Sequence, residues 1–299
     1  MLHSSRRRSL VLAAIATPFA GMSMPTFAGN QKITHSAIQQ ELAKLEASAH
    51  GRLGVSAINT ANGARVQYRA DERFPFCSTF KAIAAAAILK KSESNHQLLQ
   101  QRVSYTKEEV EKSGYAPITG KHIAEGMTIA ELCAATLQYS DNAAANFLMK
   151  ELGGPSAVTA YARTIGDDTF RLDRWEPELN TAIPGDLRDT STPAAMEKSL
   201  QKLTLGDALA HPQREQFVAW LQGNTTGGKR ILAGVPKGWI VGDKTGTGSY
   251  GTTNDVGVIW QAKGAPIVAA IYFTQNEKDA RPRDDVIASA TRILVSALS

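Results

Sequence analysis

The sequence predicts an α/β (α+β) fold: an antiparallel sheet built from both chain ends, flanked by helices, with an all-helical domain inserted. Three observations predict it. Strand-like alternation is confined to residues 52–69 near the start and 239–274 near the end. Residues 78 to about 222 carry mainly helical periodicity, broken by irregular stretches. An amphipathic helical pattern occupies residues 36–49 and 283–298, outside the two strand regions. Strands at both ends with helices between are most economically assembled as one sheet. With 299 residues and 43% hydrophobic content, the chain can bury one large or two modest cores. The boundaries expected are 1–28 for a leader, 29–73 with 223–299 for a discontinuous α/β domain, and 74–222 for the helical domain.

In chain order, Arg6, Arg7 and Arg8 precede an apolar run from Leu10 to Ala20, and Thr26-Phe27-Ala28 has the small-x-small form of a cleavage site. The run is too short to span a membrane, and the leader holds no cysteine for a lipid anchor. Export of a soluble protein to a bacterial periplasm is expected, with cleavage after about Ala28; the arginine cluster leaves the export route, Sec or Tat, open. Removing the three leader arginines takes the formal charge from +5 to +2, too small an excess to argue for nucleic acid or an anionic membrane. In the 36–49 segment Ile38, Leu42 and Leu45 share a face, and Ser36 is the expected cap. Residues 52–59 alternate as a strand, Asn62-Gly63 signals a turn, and 65–69 return. Pro75, Ser78 and Thr79 then precede the Ala-rich run 82–90, a strong helix with an expected start at those residues. Thr128 and Glu131 form a capping box for a helix over 128–137. Residues 142–152 form another, ended by Gly153-Gly154-Pro155. Residues 171–193 lack periodicity and carry Pro177, Pro184, Gly185 and Pro193; a loop this long inside a domain is usually functional. Helices are expected again over 193–205 and 213–222, then strands over 239–245, 255–260 and 266–274.

The chemistry centres on Ser78 and Lys81. At i and i+3 they share a helix face, at the head of an apolar segment where a lysine is costly to keep charged. A lysine so placed can take the proton of a serine nucleophile. An isolated S-x-x-K is more often a cap beside a surface lysine, so its neighbours decide. Three polar clusters interrupt otherwise apolar contexts. Ser140-Asp141-Asn142 joins two helices. Lys244-Thr245-Gly246 closes a strand, with a glycine that would let a ligand approach the backbone. Glu176-Pro177-Glu178-Leu179-Asn180 lies in the long loop, where Glu176 would serve as general base for a water held by Asn180. Two other motifs carry nothing. Gly246–Gly251 fits G-x-G-x-x-G but leads into a strand, and the near-phosphate-loop at 223–229 has Arg230 where Ser or Thr is needed. The six histidines are scattered singly, so neither metal nor cofactor is expected; two cysteines in an exported chain would allow one disulfide, but Cys77 beside Ser78 and Cys133 inside an apolar helix read rather as buried free thiols.

Together, in this order and on these element types, S-x-x-K, S-D-N, the Glu176–Asn180 loop and K-T-G resemble the class A serine β-lactamases. The resemblance runs over essentially the whole mature chain, including Gly153-Gly154-Pro155, Phe170–Arg174 and Asp186–Pro193. It implies the β-lactamase/D,D-peptidase-like fold and hydrolysis of penicillins, with cephalosporins expected too, through an acyl-enzyme that confers antibiotic resistance. Ser78 would be the nucleophile, and the backbone N–H groups of Ser78 and Thr247 the oxyanion hole. Lys81 and Glu176 are alternative bases for acylation. Glu176 and Asn180 would activate the deacylating water, and Ser140 would relay a proton to the leaving nitrogen. Asn142 would bind the substrate's side-chain amide, Lys244 and Thr245 its carboxylate, and Tyr115 would stand at the pocket mouth. Arg174 and Asp189 match the ion pair that staples the loop, and the Glu176-Pro177 bond is cis in relatives. The chain departs at Thr253, where many relatives have a carboxylate-binding arginine; Arg230 matches the alternative arginine of another subgroup and would take that substrate-binding role. The partner cysteine for Cys77 in some relatives falls at Gly248, and that for Cys133 at Ala85, which implies free thiols. The implied partners are a small-molecule β-lactam and water, with no nucleic acid or membrane anchor, and a monomeric protein. A penicillin-binding D,D-peptidase and a β-lactam sensor domain share the fold; the Glu176 loop and the leader separate this chain from both.

Overall fold

In a computed structural model of the protein, residues 35–299 are described, together with Met1; the leader and its cleavage site lie outside these residues. The chain begins with helix α1 (His35–Ala49), in which Ser36 lies inside the helix rather than capping it, and strands β1 (Gly51–Asn59) and β2 (Arg65–Tyr68). After a two-residue strand β3 (Phe74–Pro75) comes a 3₁₀ turn, Cys77–Thr79, and helix α2 (Phe80–Ser92). The expected helix start is therefore displaced. Pro75 pairs with Thr190 in a small ladder, and no side chain caps either the turn or α2. Tertiary pairing fixes this start instead of a capping signal.

Helical structure fills the middle of the chain. Strand β4 (Arg102–Val103) and helix α3 (Lys107–Lys112) are followed by β5 (Met127–Thr128), α4 (Ile129–Gln138), α5 (Asn142–Leu152) and α6 (Pro155–Thr164). The Thr128–Glu131 capping box forms as expected, Thr128 N donating to Glu131 Oε2 at 2.7 Å and Glu131 N to Thr128 Oγ1 at 3.2 Å. Gly153 ends α5 in the left-handed region at φ +103°, where a glycine carries no Cβ penalty. The long loop then leads to β6 (Thr190–Ser191), α7 (Pro193–Thr204), α8 (His211–Gln222) and the short α9 (Ile231–Gly234). Strands β7 (Ile240–Thr247), β8 (Thr253–Trp260) and β9 (Ile267–Gln275) and helix α10 (Asp284–Leu298) close the chain.

The five long strands form one antiparallel sheet in the order β2-β1-β9-β8-β7, so the N-terminal hairpin joins the C-terminal meander through β1 and β9. Period-two alternation sorts β9 between two cores. Ile267, Ala269, Ile271 and Phe273 pack with α1 and α10, whereas Val268, Ala270 and Tyr272 join the core that holds α2, α4 and α5. The edge strand β7 carries the Lys244-Thr245 motif. Its Gly246 departs from expectation: a Cβ there would lie 2.6 Å from Phe76 O and 3.1 Å from Thr79, not in the path of a ligand. The glycine allows β7 to pack against the turn that carries Ser78.

Candidate active site

The turn Cys77–Thr79 presents Ser78, only 8% exposed, one residue before α2 begins. Lys81, in the first turn of α2, is fully buried. The serine and the lysine are joined through a third group from the long loop. Ser78 Oγ donates to Glu176 Oε1 at 3.2 Å, and Lys81 Nζ lies 2.9 Å from the same oxygen. Lys81 Nζ also donates to Asn142 Oδ1 at 2.6 Å and to Ser140 O at 2.8 Å. Burial pushes the Lys81 amine down, and the Glu176 carboxylate opposes that shift. The surface-lysine reading of the motif is excluded.

Ser140 stands between two lysines. Its Oγ is 3.4 Å from Lys81 Nζ and 3.0 Å from Lys244 Nζ. Lys244 is also fully buried, and burial, reinforced by the Lys81 charge, holds its amine well below the ordinary lysine range. Asp141 explains why Ser140 and Asn142 sit here. Its buried carboxylate caps α5 through Ala144 N at 2.9 Å and accepts from Ile118 N and Thr119 N at 3.0 and 2.9 Å, tying the segment after Tyr115 to the head of α5. Ser140 itself is at φ +57°, a strained conformation for a residue with a side chain.

Glu176 is only 3% exposed although it belongs to a loop. Its carboxylate has a partner on each oxygen, since Asn180 Nδ2 donates to Oε2. Asn180 Oδ1 remains a buried acceptor with no hydrogen-bond partner. Asn146 holds the Glu176 backbone from both sides: Glu176 N donates to Asn146 Oδ1 at 3.0 Å and Asn146 Nδ2 to Glu176 O at 2.9 Å. The Glu176-Pro177 bond is cis. The two limbs of the loop are closed by Arg174 Nε on Asp189 Oδ2 at 2.5 Å, while Asp189 Oδ1 accepts from Asp173 N and Arg174 N at 2.8 and 3.0 Å. Ser249 N, donating to Asn180 O at 3.0 Å, ties the loop to the turn after β7.

A cleft of about 380 Å³ opens above these groups, lined by Ser78, Tyr115, Ser140, Asn142, Asn180, Thr226, Arg230, Thr245 and Thr247. All but Thr226 are residues singled out in the sequence, and Lys81, Lys244 and Glu176 lie buried beneath them. The chemistry on offer is nucleophilic attack by a serine with basic groups at hand and cationic groups for an anionic ligand.

Comparisons with known proteins identify the family. The profile of the "Beta-lactamase enzyme family" matches residues 37–298. The chain belongs to the β-lactamase family. It is similar to a β-lactamase of Citrobacter koseri, 54% identical over 99% of this chain and 100% of that protein. The β-lactamase OXY-2 of Klebsiella oxytoca is 55% identical over the full length of both. The solved structure of a β-lactamase from Desulfarculus baarsii DSM 2075 superposes with a TM-score of 0.87 at 55% identity, covering 89% of this chain and 98% of that one. The β-lactamase fold expected from the sequence is therefore the fold of this protein.

Within this β-lactamase, Arg230 is more enclosed than expected. Four of its N–H donors are engaged: by Asp284 Oδ1 at 2.7 Å, Gly246 O at 2.9 Å, Asn254 O at 2.7 Å and Thr247 Oγ1 at 2.8 Å. Tyr115, 56% exposed, stands at the rim. Cys77 and Cys133 are buried free thiols, and burial pushes both up. Sequence reasoning missed Asn146 and Thr226. A lone Asn in the interior of an otherwise apolar helix is a poor helix former and could have drawn attention to Asn146. Thr226 lies in a Thr- and Gly-rich turn whose composition hides it.

Proposed function

We infer that this chain is a class A serine β-lactamase that opens penicillins and cephalosporins through an ester on Ser78 and clears that ester with a water directed by Glu176. The observation that carries this reading is the buried Glu176 carboxylate, linked to Ser78 and Lys81 through one oxygen and to Asn180 through the other. Acylation alone would suit a D,D-peptidase or a sensor. A carboxylate held against the nucleophile supports an enzyme that also deacylates.

In the proposed sequence, the Ser78 hydroxyl gives its proton to the Glu176–Lys81 pair as Oγ attacks the lactam carbonyl. The backbone N–H groups of Ser78 and Thr247 hold the oxyanion, donors worth about 3–4 kcal/mol each when removed. The C–N bond breaks as Ser140 protonates the nitrogen. Ser140 recovers its proton through Lys81 Nζ, 3.4 Å from its Oγ, which returns the Glu176–Lys81 pair to its starting charge. Water then sits between Glu176 and the free Asn180 Oδ1. Glu176 takes a proton from the water as its oxygen attacks the ester carbonyl, and then returns that proton to Ser78 Oγ, 3.2 Å from Oε1, as the C–O bond breaks and Ser78 leaves as the alcohol. The substrate carboxylate is held by Lys244 and Thr245 in charge-assisted contact, its side-chain amide by Asn142, and Tyr115 covers the mouth. Arg230 contributes its charge from behind Thr247. In this reading the site draws Ser78, Lys81, Ser140, Asn142 and Glu176 from the proposed helical domain and Arg230, Lys244, Thr245 and Thr247 from the proposed α/β domain. The enzyme works as an exported periplasmic monomer, freed of residues 1–28, without metal or cofactor. No helix among the described residues is long and apolar enough to cross a membrane.

Purified protein is expected to turn over a chromogenic cephalosporin through many cycles, and Glu176→Ala to accumulate a penicilloyl adduct on Ser78 visible by mass spectrometry. A stoichiometric burst without steady state in the parent, or an unmodified Glu176→Ala protein, refutes the reading.

A further inference from the structure

We propose that Thr226 is a positioning residue that sets the direction in which the Thr245 hydroxyl donates, and so governs affinity for the substrate carboxylate. The proposal rests on the reading of Thr245 as a carboxylate donor. Thr226 Oγ1 lies 2.5 Å from Thr245 Oγ1 and 2.8 Å from Asn224 Oδ1. The Asn224 amide orientation is fixed from two sides: Thr226 N donates to Oδ1 at 2.9 Å, and Nδ2 donates to Asp243 Oδ2 at 2.9 Å. Reversing the amide would set an NH₂ against a backbone N–H.

Counting donors then gives a direction. Asn224 Oδ1 can only accept, so the single Thr226 hydroxyl proton points at Asn224. Thr245 must therefore donate to Thr226, and it turns a lone pair toward the cleft. A carboxylate in the cleft needs a donor instead. The chain supplies one by rotating two hydroxyls, without backbone movement. Thr226 O–H swings to Thr245 Oγ1, Thr245 O–H turns outward, and Asn224 Oδ1 keeps the Thr226 backbone N–H. Thr226 is the element that turns the Thr245 proton inward in the free state, and releasing that proton to a carboxylate costs the Thr226–Asn224 bond.

The loop is placed to do this reproducibly. Gly227, the next residue, packs so tightly that a Cβ there would fall 1.9 Å from Asp243 Oδ2. Asp243 is itself buried in β7, next in sequence to Lys244. The segment 224–227 is thus pinned to the strand that carries Lys244 and Thr245.

The test compares a cephalosporin bearing a free carboxylate with its methyl ester on the parent, Thr226→Val, Thr226→Ser and Thr245→Ala, with Thr226→Val repeated in the Thr245→Ala background. Loading the parent breaks the Thr226–Asn224 hydrogen bond, while the Thr226–Thr245 bond persists with its direction reversed; one neutral hydrogen bond corresponds to roughly a 2- to 12-fold change. Thr226→Val has no such bond to break and leaves the Thr245 hydroxyl free to donate, so it is expected to lower KM for the carboxylate by that factor, with a smaller change in kcat, and not for the ester. Thr226→Ser should restore the parent ratio, which a purely steric role of the methyl group would not explain. In the Thr245→Ala background Thr226→Val should add nothing. An unchanged or raised KM for the acid, an equal fall for acid and ester, or the same fall without Thr245, overturns the proposal while leaving Thr245 as the carboxylate donor. If Thr245→Ala itself does not distinguish acid from ester, the carboxylate reading falls and the proposal falls with it.

Discussion

Replacing Asn146 by Ala is expected to unfasten Glu176, the proposed general base, without touching it. Asn146 is half-buried on α5 and meets the Glu176 peptide as one amide meets another, accepting at 3.0 Å and donating at 2.9 Å. Each bond contributes about 1 kcal/mol, and a backbone N–H left buried without a partner costs about 1–3 kcal/mol. The expected loss is about 2–4 kcal/mol in urea unfolding. Because Glu176 must sit against both Ser78 and a water, a displacement of about 1 Å should slow deacylation on the order of 100-fold. Acylation should suffer less, since Ser78 and Lys81 stand on the α2 side and keep their own supports. Stopped-flow mixing with a chromogenic cephalosporin separates the two as a burst followed by a slow steady state. Asn146→Leu, similar in shape, should behave as Ala does, and Asn146→Asp, which keeps the acceptor but opposes a carboxylate to Glu176 O, should not rescue. Parental stability with an unchanged ratio of acylation to deacylation in Asn146→Leu would show that packing, not the amide pair, holds the loop.

Three further outcomes follow from the same geometry. Asp189→Asn removes the buried charge facing Arg174 and should cost about 3 kcal/mol, the lower end for breaking a buried pair, because Asn can still accept from the Asp173 and Arg174 amides; an unfolding free energy within 0.5 kcal/mol of the parent, about the scatter of surface substitutions, would contradict it. Asp255 is buried beside Asp243, and burial with that neighbour's charge holds its carboxyl well above the ordinary range. The folded state therefore binds a proton that the unfolded state has released, so stability falls as pH rises from the ordinary aspartate value toward the raised folded one. Asp255→Asn abolishes that loss, so its melting temperature relative to the parent should climb with pH across this window; a pH-independent difference in calorimetry would exclude it. Gly246→Ala forces a Cβ to 2.6 Å from Phe76 O, a backbone atom that cannot swing aside, and should cost about 1–3 kcal/mol by overpacking and slow acylation by shifting the Ser78 turn; parental acylation kinetics would refute the packing account.

How much of this was legible in the sequence depends on the range of the interaction responsible. The β9 alternation and the Thr128 capping box are local patterns, and both formed where expected. The start of α2 was not legible. Pro75 and Ser78 have the composition of a cap, but the backbone there answers to Thr190, 115 residues away in sequence, and to β7 pressing on Phe76. The left-handed conformations of Cys77 and Ser140, at φ +48° and +57°, are equally silent, since neither residue type advertises positive φ. Motif residues were found because their chemistry is unusual for their surroundings. Asn146 and Thr226 act through ordinary hydrogen bonds to other residues, and only the fold reveals whom they hold.

The site also separates two tasks between two structural sources. The proposed nucleophile, Ser78, and Lys81 come from one turn and the helix that follows, so a spacing of three residues along the chain is enough to bring them near each other. The acid that would clear the ester comes from a loop, and its position depends on three fastenings of different kinds: Asn146 on the peptide, Arg174–Asp189 across the neck, and Ser249 on Asn180 O. Loosening any one should shift Glu176 and Asn180 while leaving Ser78 and Lys81 in place. Deacylation is therefore the step most exposed to substitution in this fold. Damage to the loop should convert the enzyme toward a protein that binds β-lactams covalently and releases them slowly, the behaviour of the peptidase and sensor readings that its intact loop argues against.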